Sequence, residues 1–193
     1  GVGKRLRNFG VDSTRITELN WTDSTTTTAA DGSSQLKITS VPARHFSGRG
    51  LFDRFSTLWA SFILEGPQHR LFFGADSGQW EGFAEVGQTH GPFDLILLEI
   101  GAGNPLWREI HLGPDGAVEA WKALTASPSS PARANRLMPI HWGLFSLALH
   151  GWRDPIETLT ARAELESIPL FSPRPGQPAE ITPTTSLPDS SWR

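Results

Sequence analysis

The sequence contains no cysteine, which excludes disulfide bonds, thiolate metal sites and a cysteine nucleophile. It also carries little net charge: 17 basic and 20 acidic residues give −3, so no overall basic field favours nucleic acid or an anionic membrane. No apolar run approaches the roughly 20 residues of a membrane-spanning helix, and we expect no transmembrane segment. The chain begins with Gly1 rather than methionine, which leaves room for an upstream N-terminus.

Three common nucleotide and hydrolase motifs are missing from the sequence as well. No G-x-G-x-x-G follows a predicted strand, no G-x-x-x-x-G-K-[ST] occurs, and there is no serine nucleophile elbow. What remains is a chain of 193 residues, 38% of them hydrophobic and 19% charged. That composition and length are typical of one globular domain with a sizeable core.

The hydrophobic pattern predicts an α/β layered domain. Short, nearly continuous apolar runs favour strands covered on both faces, at 36–41, 57–64, 70–75, 94–100 and 136–140. Residues 80–88, the stretch after Pro114 and residues 154–167 favour helices. The alternation at 15–21 predicts a further strand, and the small polar residues 22–35 a long hairpin loop. We predict a domain over 1–173 and a proline- and serine-rich tail over 174–193.

Three ionisable side chains come directly after predicted strands. His45 follows LKITSVPAR, Asp76 follows RLFFGA, and His141 follows RLMPI. Folds of the α/β class place their sites at strand ends and in the loops after them. A lone histidine at such a point is more often structural, but two imidazoles and a carboxylate are suitable ligands for zinc or iron. The sequence therefore offers a candidate metal site.

Four motifs in this order carry a resemblance: VPARHFSGRGLFDR, LFFGADSG, GPFDLILLEIGAGNP and MPIHWGLF. Over residues 1–173 the chain resembles the second half of the metallo-β-lactamase-fold hydrolases. It is most similar to the branch containing N-acyl-phosphatidylethanolamine-hydrolysing phospholipase D and its bacterial relatives, and more distantly to the L-ascorbate-6-phosphate lactonases. The resemblance implies the C-terminal half of a four-layer αββα sandwich with two divalent metal ions, zinc first, with iron or manganese as alternatives.

The resemblance also implies a ligand set. His45 matches the third histidine on the first metal, Asp76 the carboxylate that bridges both metals, and His141 the histidine on the second metal. The family's other signature, H-x-H-x-D-H, is absent from this sequence. The chain therefore resembles half of such a hydrolase. Its missing ligands are expected from an N-terminal half or from a partner chain.

Further positions are candidates for substrate contact. The resemblance implies a catalytic or substrate-binding role for His111, alongside a catalytic role for Asp76. His150 and Trp107 could line the site, and Arg49 could grip a phosphate. Each has an alternative: His111 as a loop histidine, His150 as a structural one, Trp107 as packing, and Arg49 as a solvated side chain.

Two functional interpretations follow. In the first, the complete protein is a metal-dependent hydrolase, most plausibly a phosphodiesterase that uses a two-metal-bridged hydroxide on a phospholipid-like or other phosphoester substrate. Hydrolysis of an ester or lactone remains open, because the lactonase relatives share the fold. In the second, the chain is a non-catalytic half-domain that associates with another chain or with itself as a homo-oligomer. We expect a cytoplasmic location or a peripheral membrane one, and no nucleic-acid partner.

Overall fold

The computed structural model describes residues 1–126, 135–145, 147–176 and 178–181. Four consecutive strands are followed by helices and strands that alternate. They are α1 (Val2–Asn8), β1 (Ser24–Thr28), β2 (Gln35–Val41), β3 (Ser61–Glu65), β4 (Arg70–Phe73), α2 (Gly82–His90), β5 (Leu95–Glu99), α3 (Gly113–Thr125), β6 (Arg136–Ile140) and α4 (Asp154–Glu166). Short 3₁₀ turns lie at Ser13–Arg15 and Pro105–Trp107.

The strands form a six-stranded sheet in the order β1-β2-β3-β4-β5-β6. Strands β1 to β4 pair antiparallel, whereas β4, β5 and β6 pair in parallel. Because β2 and β4 are both antiparallel to β3, they run in the same direction as β5 and β6. The carboxyl ends of β2, β4, β5 and β6 therefore meet at one edge of the sheet.

The hydrophobic core lies between one face of the sheet and the helices α2, α3 and α4. Ile63, Phe72, Ile96 and Leu98 point into it from the strands, and Phe83, Val118, Leu124 and Leu159 from the helices. Phe72 meets Phe83 edge to face, with ring centroids 6.3 Å apart. Burial of these side chains is the main force that holds the helical layer on the sheet.

The opposite face of the sheet carries an apolar stripe. Alternation along the strands places on it a set of half-buried residues, namely Phe62, Leu64, Leu71, Phe73, Leu97, Met138 and Ile140. In the part of the chain that the structure describes, α2, α3 and α4 all pack on the other face. One sheet and one helical layer are two of the four layers of an αββα sandwich, so the predicted fold class is confirmed. Covering on both faces, which the apolar runs predicted, is observed on one.

The N-terminal region differs from its prediction. The predicted strand at 15–21 is wrong: this stretch leaves a 3₁₀ turn and runs on without a strand, and the indole of Trp21 donates to the carbonyl of Trp59 (2.6 Å). The predicted loop at 22–35 is a hairpin, but its first half is β1, paired with β2. Most of the predicted tail lies outside the described residues. None of the described helices is both long enough and apolar enough to cross a membrane.

Candidate metal centre

Four chemically useful side chains meet at the edge where the parallel-running strands end. His45 follows β2, Asp76 follows β4, Glu99 is the last residue of β5, and His141 follows β6. The loops after β2 and β4 are joined directly, since the amide of Gly78 donates to the carbonyl of Arg44 at 2.7 Å. Sheet direction thus gathers residues that are almost a hundred positions apart in sequence.

A left-handed backbone conformation occurs shortly after three of these four strands, namely β4, β5 and β6. Ala75, Ala102 and His141 have φ angles of 50°, 56° and 58°. Such angles are unfavourable for residues with a Cβ, and they persist where the surroundings over-determine the conformation. Gly101 shows how tight these surroundings are, because a Cβ there would lie 1.9 Å from the carbonyl oxygen of His141. The backbone holds the His141 side chain in one place.

One ring nitrogen of His45 is hydrogen-bonded, and the other has no hydrogen-bond partner among the described residues. Its Nδ1 donates to the carbonyl of Phe46 (2.8 Å), and its ring stacks on the Phe46 ring with centroids 4.7 Å apart. This bond leaves Nε2 with its lone pair, and Nε2 is buried without a hydrogen-bond partner among the described residues. A buried imidazole nitrogen of this kind suits a metal ion.

Glu99 is the centre of the hydrogen bonding at this edge. Its side chain is 0% exposed. Oε1 accepts from the amides of Leu112 (2.8 Å) and Ser77 (3.4 Å), while Oε2 accepts from Nδ1 of His111 (2.7 Å). A buried carboxylate with donors on both oxygens is held rigidly.

His141 lies between two carboxylates. Its Nε2 is 3.8 Å from Oδ1 of Asp76, and its Nδ1 is 3.6 Å from Oε2 of Glu99. The ring of His141 stacks on that of His111 with centroids 5.5 Å apart, and His111 lies edge-on to His45 at 5.3 Å. All five side chains therefore form one group, which we call the strand-edge cluster: His45, Asp76, Glu99, His111 and His141.

The electrostatics of the cluster favour positive charge. Burial alone lowers the pKa of His111, but the hydrogen bond to Glu99 and the charges of Glu99 and Asp76 outweigh it. The pKa of His111 is therefore raised above its ordinary value of 6.5. The same negative potential that favours a protonated imidazole also favours a divalent cation.

The donor set fits a metal ion. Ligand atoms of Glu99, His111 and His141 lie within 4.8 Å of one another, and of the predicted ligands His45, Asp76 and His141 only His141 belongs to this group. Nδ1 of His141, like Nε2 of His45, is buried without a hydrogen-bond partner in the described part of the chain. Imidazole nitrogen and carboxylate oxygen are the donors preferred by zinc, iron and manganese. The H-x-H-x-D-H motif, from which the resemblance leads us to expect further ligands, does not occur in this sequence.

The remaining predicted substrate-binding residues lie in loops. The indole of Trp107 donates to the carbonyl of Ala102 (2.7 Å), in the loop between Glu99 and His111. Nδ1 of His150 bonds the carbonyl of Gly151 (2.9 Å), and the exposed Arg49 donates its amide to Asp53 (3.0 Å). Their roles toward a substrate stay predictions.

Glu99 was missed by the sequence analysis. Glu99 stands near the end of the apolar run DLILLEI, which predicts a buried strand and so does not suggest a functional role for the Glu99 carboxylate. A signal was nevertheless present, since a carboxylate inside a buried strand needs partners to offset its desolvation. Here those partners are two backbone amides and His111.

Comparisons with known proteins give the family and the fold of the chain. Residues 1–142 match the family described as beta-lactamase superfamily domain. An uncharacterised protein of Mycobacterium tuberculosis is 45% identical over all of this chain and 48% of its own length. N-acyl-phosphatidylethanolamine-hydrolysing phospholipase D 1 of Caenorhabditis elegans is 32% identical over 86% of this chain and 47% of its own. A metallo hydrolase from Ignicoccus hospitalis superposes with a TM-score of 0.62 at 17% identity, covering 91% of this chain and 64% of that one.

This chain is shorter than several of the relatives that it matches. The chain spans about half the length of the curated relatives it matches, 48% for the mycobacterial protein and 47% for the nematode phospholipase. The matched part contains the whole strand-edge cluster up to His141.

Proposed function

The chain belongs to the β-lactamase superfamily domain family, whose metallo-hydrolase fold implies divalent metals, and on that premise we propose that it supplies the C-terminal half of a metal-dependent phosphodiesterase. The observation that carries the proposal is the strand-edge cluster, in which the buried Nε2 of His45 has no hydrogen-bond partner among the residues that the structure describes. A phospholipid-like substrate is the class that we favour.

In this proposal His45, Asp76 and His141 hold the metal ions, and Glu99 orients the histidines around them. The ions, when bound, supply Lewis-acid chemistry that polarises a phosphoryl oxygen and activates water. Glu99 keeps the proton of His111 on Nδ1 through the 2.7 Å hydrogen bond. The other nitrogen of His111, Nε2, is then the atom that can exchange a proton with the leaving group.

The preference for a phospholipid-like substrate has two supports. A pocket of about 510 Å³ has a largely apolar lining that includes Met138, Trp142 and Trp152, residues that precede and follow His141 in the sequence. Such a lining suits an acyl chain better than a sugar or a nucleotide. In addition, the nematode relative is named for the hydrolysis of N-acyl-phosphatidylethanolamine.

A second candidate function is association without catalysis. The apolar stripe on the sheet favours it, because half-buried side chains such as Phe62, Phe73 and Leu97 would gain burial against another layer. That layer could come from an N-terminal half or from a partner chain. The two candidates differ in what they require of the metal ligands, which makes metal content the discriminating measurement.

The test uses the protein at its full natural length, with metal content measured by mass spectrometry on the same samples as activity. The substrates are a synthetic phosphodiester, an N-acyl-phosphatidylethanolamine and a simple carboxylic ester. His141→Ala removes a proposed ligand. His69→Ala is the matched control, because it removes a histidine in the turn between β3 and β4, beside Asp94 (3.7 Å) and outside the cluster.

We expect His141→Ala to lose metal and phosphodiester hydrolysis together, and His69→Ala to keep both. Treatment with a chelator should abolish hydrolysis, and metal should restore it. Hydrolysis of the ester alone would replace the phosphodiesterase with an esterase. Metal-free protein of correct mass, inactive on every substrate, would favour the non-catalytic candidate.

A further inference from the structure

The loop between His45 and β3 has an unusual construction; we call residues 48–55 the arginine loop. Oδ1 of Asp53 accepts hydrogen bonds from the amides of Arg49 (3.0 Å) and Gly50 (2.7 Å), and the amide of Phe55 donates to the carbonyl of Ser47 (2.8 Å). Gly48 adopts a φ of +122°, and a Cβ there would lie 2.7 Å from Cα of Arg54. The loop is therefore closed by its own polar groups.

The apolar side chains of the arginine loop point outward. Leu51 is 92% exposed, Phe52 99% and Phe55 57%. Soluble proteins usually bury apolar side chains and expose carboxylates. In this loop the carboxylate of Asp53 is instead bonded to the loop's own amides, and Leu51 and Phe52 are exposed at the tip. Adjacent exposed apolar residues on an ordered loop mark a contact surface more often than isolated ones do.

The rim of this tip is basic although the whole chain carries −3. Arg49 is exposed, and the guanidinium of Arg54 lies over the Phe55 ring at 5.0 Å. The one acidic residue of the loop, Asp53, is neutralised by Arg5 of α1 at 2.7 Å. The arginine loop and the adjoining helix therefore present positive charge around an apolar tip.

We propose that the arginine loop is a membrane-docking site that inserts Leu51 and Phe52 into an anionic lipid surface. Apolar side chains ringed by basic ones match the headgroup–acyl boundary of a bilayer, where the rings and chains enter and the cations face lipid phosphates. The positive rim selects a negative surface, and the exposed tip needs no rearrangement to enter it. This inference concerns the association of the protein with a membrane, and it does not depend on the proposed metal chemistry.

The test is co-sedimentation of the full-length protein with vesicles. One set contains only phosphatidylcholine and the other a third phosphatidylglycerol. The double variant Leu51→Ser/Phe52→Ser removes the apolar tip without touching a core residue. Leu165→Ser is the matched control, because Leu165 is also 82% exposed but lies on α4 between Glu164 and Glu166. Circular dichroism and the mass in solution are measured for each variant.

We expect binding to the anionic vesicles that falls about tenfold or more in the double variant and is unchanged in Leu165→Ser. Raising the ionic strength from about 0.1 M to about 1 M should also weaken it, because the screening length falls from about 10 Å to about 3 Å. Absence of binding, equal binding to neutral vesicles, or full binding by the double variant would overturn the proposal. So would a lower oligomeric mass in that variant, because the tip would then be a self-association surface.

Discussion

Replacing Glu99 by glutamine tests whether Glu99 orients the metal-site histidines. We expect the change to lower metal affinity and to leave the stability of the fold nearly unaltered. Glutamine has nearly the same volume, and its carbonyl oxygen can still accept from the amide of Leu112, which bonds Glu99 at 2.8 Å. Its amino group then faces Nδ1 of His111, where the carboxylate had accepted a hydrogen bond of 2.7 Å. Two donors oppose each other, so His111 loses the partner that fixes its ring, and the proposed ligand His141 loses the carboxylate charge that lies 3.6 Å from its Nδ1.

The size of the effect follows from the bond that is lost. A hydrogen bond to a charged group contributes about 2 kcal/mol. Removing a carboxylate that orients metal-binding histidines lowers metal affinity about 10- to 100-fold, and an energy of this size corresponds to a fall of roughly 30-fold. Within the same estimate, apo-protein stability should change by less than about 1 kcal/mol, because the neutral amide avoids the desolvation of a buried carboxylate.

The assay is competition against a chelator of known affinity at pH 7.5, with urea unfolding of the metal-free protein measured in parallel. Glu109→Gln is the matched control: Glu109 is a carboxylate 75% exposed and paired with Arg44 at 2.7 Å. Exposed pairs contribute about 1 kcal/mol or less, so this control should leave metal affinity within about threefold of the parent. Unchanged metal affinity in Glu99→Gln would refute the reasoning, and so would an equal loss in both variants.

Two further predictions test backbone packing and charge. In Gly101→Ala the added Cβ would lie 1.9 Å from the carbonyl oxygen of His141. We therefore expect a stability loss of about 1–3 kcal/mol, seen as a lower urea midpoint, together with weaker metal binding. An unaltered urea midpoint and unaltered metal affinity would contradict this prediction. Burial raises the pKa of Glu65, but the hydrogen bond from Lys37 and the charge of Arg70 outweigh it, so the folded-state pKa lies below its ordinary 4.5. Glu65→Gln should therefore cost up to about 1 kcal/mol above pH 4.5, and the difference should vanish as pH falls through the folded-state pKa; a pH-independent difference in urea unfolding would contradict it.

The sheet was predictable where its strands are buried. The runs at 70–75, 94–100 and 136–140 became β4, β5 and β6 because continuous apolar sequence is what a covered parallel strand requires. The threonine-rich β1 could not be predicted as a strand, because its side chains are polar and show little burial. Its order comes from the backbone pairing with β2. Stretch 15–21 had the alternation of a strand but has no partner strand in the described structure.

The cluster was predictable in part. His45, Asp76 and His141 could be found because each follows an apolar run, and the sheet direction that brings them together is what such runs favour. The link through Glu99 could not be found by spacing, because it depends on which β5 side chain faces the loop before α3. Only the folded register places Oε2 of Glu99 within 2.7 Å of His111.

The strand order also has a consequence for how the chain reaches its structure. Each strand pairs with its neighbour in sequence, from β1 through β6. Short hairpin connections join β1 to β2 (residues 29–34) and β3 to β4 (residues 66–69), whereas β2 and β3 are separated by residues 42–60, and β5 and β6 are each reached through a helical crossover. We expect the two hairpins to form first, to pair with each other through β2 and β3, and to receive the parallel strands at the β4 edge afterwards. The strand-edge cluster, which needs the ends of β2, β4, β5 and β6, would then be assembled last.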